Sequence, residues 1–170
     1  MDLSQYIAPV ADFPIPGVAF KDITPLLADP DAFAASVDGL AAAVEGIPVD
    51  RIAAFDARGF LWAAPLAYRL RLPLVPIRKA GKLPRPHLTE SYQGEYGVET
   101  VEVHDDAVKA GESVLLVDDV IATGGSMLAG CRLVERLGGT VAACAAVIEF
   151  TGLGAPAALE KYRTVSLITY

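Results

Sequence analysis

Two rhythms of apolar and polar residues alternate along the chain: short solid apolar runs, and longer stretches with apolar residues at helical spacing. Residues 114–117, V-L-L-V, have no polar face, which suits a strand buried on both sides in a parallel sheet. Runs at 52–55, 72–77, 140–150 and 165–168 read as further strands. Between them, Phe33, Val37, Leu40, Ala41 and Val44 follow a helical period after Asp29-Pro30, an N-cap followed by proline at the first helical position, and predict a helix to about residue 45. Residues 60–70 and 127–137 have the same spacing, with Pro65 either bending the first of these or lying in its first turn. Residues 88–103 alternate and contain Gly94 and Gly97, as in a hairpin with Glu95 and Tyr96 at its tip. Strands alternating with helices predict an α/β fold around a parallel sheet.

The punctuation between these elements carries the candidate chemistry. After 114–117 come Asp118 and Asp119, expected at the strand's carboxyl end, where open α/β sheets place ligands. The small-residue turn Ala122, Thr123, Gly124, Gly125, Ser126 then opens a helix. Its backbone N–H groups can close around a phosphate at the positive end of the helix dipole. Carboxylates would repel that phosphate, so the two acids suit vicinal hydroxyls or a positively charged sugar carbon, and together the parts describe a site for a ribose 5-phosphate. A second strand end, Asp56-Ala57-Arg58-Gly59, carries a charged pair that also reads as an ordinary surface ion pair.

Charge sharpens this picture. The 170 residues are 53% hydrophobic and 21% charged with net charge −7, a composition for one globular domain that argues against non-specific binding to nucleic acid or anionic membranes. Yet Arg78, Lys79, Lys82, Arg85 and His87 fall within ten residues free of acids, directly after a strand. We read this as a polyphosphate-binding loop, and the following hairpin either as a lid or as an ordinary exposed hairpin. Residues 12–25 hold three prolines among apolar residues, which predicts a packed loop outside any helix or central strand. Phe20 within it is a lid for a planar ligand or a plug for the core, and composition favours the plug. Cys131 and Cys144 read as buried free thiols. His87 and His104 lack metal-ligand spacing, so no zinc site is expected. Residues 152–157 match G-x-G-x-x-A, but too little chain follows for a dinucleotide-binding unit, and they read as a turn. The N-terminus lacks the features of a signal peptide, and the cytoplasm is the expected location.

With these motifs assembled, the chain closely resembles the adenine phosphoribosyltransferases, members of the type I phosphoribosyltransferase family. The resemblance runs from D-F-P-I-P-G-V-A-F-K-D-I-T-P-L-L through D-A-R-G-F, I-R-K-A-G-K-L-P, S-Y-Q-G-E-Y-G and V-D-D-V-I-A-T-G-G-S to E-F-T. It implies a Rossmann-like open parallel sheet flanked by helices, with a projecting hairpin at 83–103 and a small N-terminal hood at 1–28, all within one domain. It implies that adenine and 5-phosphoribosyl 1-pyrophosphate give AMP and diphosphate, with Mg²⁺ bound mainly through the sugar-diphosphate substrate. Carried onto matching positions, Asp118 and Asp119 meet the ribose hydroxyls and Ala122 to Ser126 the 5-phosphate. Arg58, Arg78, Lys79 and Lys82 meet the diphosphate. Ala19, Phe20, Lys21 and Phe150 hold adenine, with Lys21 acting mostly through its main chain. Glu95 closes over the site, and Asp118, Asp119, Glu95 and Arg58 form the catalytic set. A homodimer is also implied. The alternatives are a transferase for another purine base, such as xanthine or hypoxanthine, or a non-catalytic sensor of phosphoribosyl pyrophosphate.

Overall fold

A computed structural model describes residues 1–94 and 97–170. After a 3-10 turn at Leu3–Tyr6, strands β1 (Ala8–Ala11) and β2 (Ala19–Asp22) form a separate antiparallel ribbon. Helices α1 (Thr24–Ala28) and α2 (Pro30–Ala43) follow, then β3 (Arg51–Phe55), α3 (Gly59–Leu70) and β4 (Leu74–Lys79). Strands β5 (His87–Gln93) and β6 (Val98–His104) make the hairpin. The chain continues through β7 (Ser113–Ile121), α4 (Gly125–Arg136), β8 (Thr140–Glu149), the short α5 (Ala155–Ala158) and β9 (Thr164–Thr169).

The main sheet has the order β5-β6-β4-β3-β7-β8-β9. Strands β4, β3, β7, β8 and β9 are parallel, and the hairpin is added antiparallel at the β4 edge. This is the α/β architecture expected. Alternation along β7 explains its solid apolar run: Leu115 and Val117 face one core with Trp62 and Leu66 of α3, while Val114 and Leu116 face the other with Met127 and Leu133 of α4. Helices therefore cover both faces. Trp62, the largest fully buried side chain, donates to Ser36 Oγ at 2.8 Å, so its polar edge is satisfied inside the core.

Several boundaries differ from the sequence expectation. Strand β7 extends beyond the solid run at 114–117, since its pairing with β8 continues to Ile121 opposite Glu149; Asp118 and Asp119 lie towards its carboxyl end, where they were expected. Strand β4 starts at Leu74, two residues late, and carries Arg78 and Lys79 inside it, where they pair with Glu102 and Val101 of β6. The proline-rich stretch is not all loop. Its turn is closed by Asp12, whose carboxylate accepts from the Gly17 amide at 2.7 Å, but Ala19–Asp22 pairs as a strand and Pro25 sits in the first turn of α1, where its missing N–H costs nothing. Pro65 lies inside α3, beyond its first turn. Asp29 caps α2 as expected, accepting from the amides of Asp31 and Ala32 at 3.0 and 2.8 Å. Residues 152–157 span a 3-10 turn and the start of α5.

Candidate active site

Parallel strands bring their carboxyl ends to one edge of the sheet. From β3 the chain moves to β4 on one side, then returns to β7 on the other, so the switch point lies between β3 and β7. A crevice at such a point is where open α/β sheets hold ligands. The junction 56–59 enters it from β3, and Asp118, Asp119 and the 122–126 turn enter it from β7.

Here two motifs far apart in sequence meet. The Arg58 guanidinium donates to the carboxylate of Asp119, 61 residues away. Asp119 is only 4% exposed, whereas the Arg58 side chain is 57% exposed, so a buried acid is neutralised by a cation that stays in contact with water. The Arg58 charge is also favoured by Asp118 and by Asp22 of the ribbon, which ties the N-terminal hood electrostatically to the crevice. Burial, together with the neighbouring Asp119, pushes the Asp118 carboxyl well above the usual range, although one of its oxygens accepts from the Asp119 amide at 2.9 Å.

Tight packing sets the position of this acid. A Cβ on Gly59 would lie 2.9 Å from the Val117 carbonyl oxygen and 3.0 Å from an Asp118 carboxylate oxygen, so only glycine lets α3 start this close to β7. On the other side, α4 begins at Gly125 with no acid in its first turn, leaving its amide end free of internal anions. Gly124 is buried, Ala122, Gly125 and Ser126 are half-buried, and Thr123 is exposed with its hydroxyl accepting from the Gly125 amide at 3.4 Å. The hairpin leans over this turn: a Cβ on Gly125 would meet the Gln93 carbonyl oxygen at 2.9 Å and the Tyr92 ring at 3.0 Å. Tyr92 donates to Glu99 at 3.0 Å, and burial, that carboxylate and Asp118 all raise its phenol above the ordinary value. Arg132 and Arg136 of α4 hold the hairpin's stalk through Glu90 at 3.2 and 3.0 Å.

The basic residues are distributed differently from a free cluster. Asp56 and Arg58 do not pair with each other. Arg78 donates to Asp56 at 2.9 Å and holds that carboxyl below its usual range, with Lys82 adding to the effect through its charge. Lys79 lies 3.9 Å from Glu99. Arg58, Arg78 and Lys79 thus each have a carboxylate neighbour that an incoming polyanion would compete with.

A second group of residues joins the hood to the ends of β8 and β9. Phe150 stacks on Tyr170 with ring centroids 5.7 Å apart, and Lys21 Nζ lies 4.3 Å from the Tyr170 centroid. Lys21 therefore has a side-chain role as well as its place in the ribbon. Phe20 is half-buried and packs edge-on against Phe13 at 5.1 Å, and Ala19 is exposed. Tyr170 escaped sequence reasoning because nothing local marks a terminal aromatic as the neighbour of residue 150, whereas Asp56 was marked but finds its partner in Arg78 and not in Arg58. Glu95 lies outside the described residues.

Among the described residues, no group of three or more His, Cys, Asp or Glu is arranged to hold a metal ion. Asp118 and Asp119 are oxygen donors at the crevice, a set that suits a magnesium ion carried largely by substrate phosphates. Cys131 of α4 and Cys144 of β8 are free and buried, with sulfurs 3.6 Å apart in the core between the two elements.

Comparison with known proteins places the family and the fold. The phosphoribosyl transferase domain profile matches residues 27–166. The adenine phosphoribosyltransferase of Carboxydothermus hydrogenoformans is 48% identical over 170 residues, covering 100% of both chains. The crystal structure of adenine phosphoribosyltransferase from Thermoanaerobacter pseudethanolicus superposes with a TM-score of 0.96 at 48% identity, covering 99% of this chain and 98% of that one. The Saccharomyces cerevisiae enzyme, solved with an imino-altritol bisphosphate and adenine, superposes at 0.90 with 34% identity, covering 97% and 96%.

Proposed function

The chain belongs to the phosphoribosyl transferase family, and from that membership we propose that it moves the 5-phosphoribosyl group of 5-phosphoribosyl 1-pyrophosphate onto adenine, yielding AMP and diphosphate in purine salvage. The observation that carries this reading is the pairing of Asp118 and Asp119 with an acid-free helix start at the β3/β7 crevice. Relatives named for this reaction that span the whole chain supply the choice of base.

The amides of residues 122–126 would receive the 5-phosphate. Asp118 and Asp119 would accept from the ribose hydroxyls and stabilise positive charge developing at the anomeric carbon as the bond to diphosphate loosens. Arg58, Arg78, Lys79 and Lys82 would hold the departing diphosphate, the first three exchanging their present carboxylate neighbours for phosphate oxygens. Adenine would lie at Phe20 and Phe150, its edge read by the backbone of Ala19 and Lys21, and Glu95 would close over the donor and exclude water. Magnesium, held mainly by the donor, would supply charge neutralisation of the leaving group.

This machinery would act in the cytoplasm as a homodimer, and the acidic net charge of −7 supports small-molecule partners over nucleic acid. No helix among the described residues is long and apolar enough to cross a membrane. Purified protein mixed with the donor, Mg²⁺ and each purine base in turn tests the proposal. AMP formation from adenine is expected. Turnover of another base with none from adenine would reject the choice of base, and donor binding without turnover of any base would favour the sensor.

A further inference from the structure

Among the described residues two acids are buried, Asp119 in the crevice and Glu102 in β6 at 5% exposed. Val101 and Val103 beside Glu102 belong to the core, so by strand alternation Glu102 faces the opposite side of β6. There it is covered by the segment between β4 and β5. One carboxylate oxygen accepts from the Gly81 amide at 2.9 Å and lies 3.5 Å from His87 Nε2. The other is buried and has no hydrogen-bond partner among the described residues. Next to it, the Ala80 amide donates to the Thr100 carbonyl at 3.1 Å, continuing the β4–β6 pairing by one residue into the loop.

A buried carboxylate oxygen left unpartnered costs stability, and an apolar side chain of similar length would pack there without that penalty. What the carboxylate supplies is a fixed position for the 79–82 loop. It holds the peptide between Lys79 and Lys82 and lies 3.5 Å from His87, within a stretch that carries five cations and potential cations: Arg78, Lys79, Lys82, Arg85 and His87. Arg78, Lys79 and Arg85 are balanced by Asp56, Glu99 and Asp106, carboxylates that an incoming polyanion would displace. We propose that Glu102 is a positioning residue for the sugar-diphosphate donor: through the Gly81 amide it pre-organises the loop that receives the diphosphate. The proposal rests on reading residues 79–82 as that loop. Donor affinity therefore depends on a residue that need not touch the donor, because ordering the loop in advance removes that cost from binding.

Glu102→Met and Glu102→Gln separate this role from a structural one. Calorimetric titration with phosphoribosyl pyrophosphate and Mg²⁺ should show Glu102→Met binding the donor about tenfold more weakly, as for loss of a charge-assisted hydrogen bond. The KM for adenine should stay within about twofold, and the melting temperature should hold or rise. Glu102→Gln still offers an oxygen to Gly81 and should recover most of the donor affinity. Wild-type donor affinity in Glu102→Met would overturn the proposal, as would a fall in melting temperature with both substrate constants worsening together. Absence of donor binding by the unaltered protein would instead refute the reading of the loop itself.

Discussion

The two acids of the crevice make separable demands on stability and on chemistry, and Asp119→Asn divides them. Asparagine has the same shape, and its side-chain oxygen can still accept from Arg58. The guanidinium it leaves unneutralised is more than half exposed and remains hydrated, so the loss is smaller than for a fully buried pair. Removing one charge also relieves the repulsion that now raises the Asp118 carboxyl. The net loss should be about 1 kcal/mol, a fall in melting temperature of about 2–4 °C for a chain of this size. Chemistry should suffer far more, because a neutral amide cannot balance positive charge growing on the sugar. A loss of turnover of about 10²- to 10³-fold, equivalent to ~3–4 kcal/mol, is the scale for removing one such electrostatic partner. The assay is the initial rate of AMP formation under saturating adenine and donor, beside calorimetric melting of the same preparations. Wild-type turnover in the folded variant would remove Asp119 from the mechanism, and a large melting shift matched by lost folded protein would reduce it to a structural acid.

Three further outcomes follow from particular contacts. Phe20→Ala should raise the KM for adenine about three- to tenfold while leaving that for the donor nearly unchanged, since stacking touches only the base; an equal rise in both would make Phe20 a plug held by Phe13. Gly59→Ala should destabilise the protein by about 1–3 kcal/mol in denaturant titration and lower turnover too, because the added methyl meets the Val117 carbonyl and displaces Asp118; an unchanged midpoint would mean that α3 shifts freely. Asp118→Asn should raise the melting temperature at pH 8. The folded state holds the Asp118 proton more tightly than the unfolded chain, so this carboxyl favours folding at acid pH and costs stability as pH rises through its raised value. The gain should vanish below pH 3.8, the carboxyl's ordinary value, and an equal gain at both ends of the range would refute the assignment.

Much of the fold was legible because local periodicity encodes which faces an element buries. The solid run at 114–117 announced a strand covered on both sides, and α3 and α4 supply that cover through Trp62, Leu66, Met127 and Leu133. The Asp29-Pro30 helix start and the hairpin were equally local, and both stand where the pattern puts them. Strand ends were less legible. Whether pairing continues past Val117 is decided by the neighbour strand, and β8 carries it to Ile121, beyond the acids. The prolines of 12–25 hid a short strand because their effect depends on which amides need partners, and that is known only once β1 lies alongside.

Chain chemistry by itself determined the kinds of group present: a pair of acids before a small-residue helix start, a cationic run after a strand, and aromatics near both ends. Tertiary structure alone decided who neutralises whom. Arg58 meets Asp119 and not its near neighbour Asp56, which goes to Arg78 on the adjoining strand. Tyr170 comes under Phe150 because β8 and β9 run parallel and end together. Glu102 reads in sequence as one more alternating polar residue, and it became a buried acid only when the 79–82 loop folded over its face of β6. The physical reason is range: side-chain type and spacing act over a few residues, whereas burial and ion pairing depend on strand order, which is set by the packing of the whole sheet.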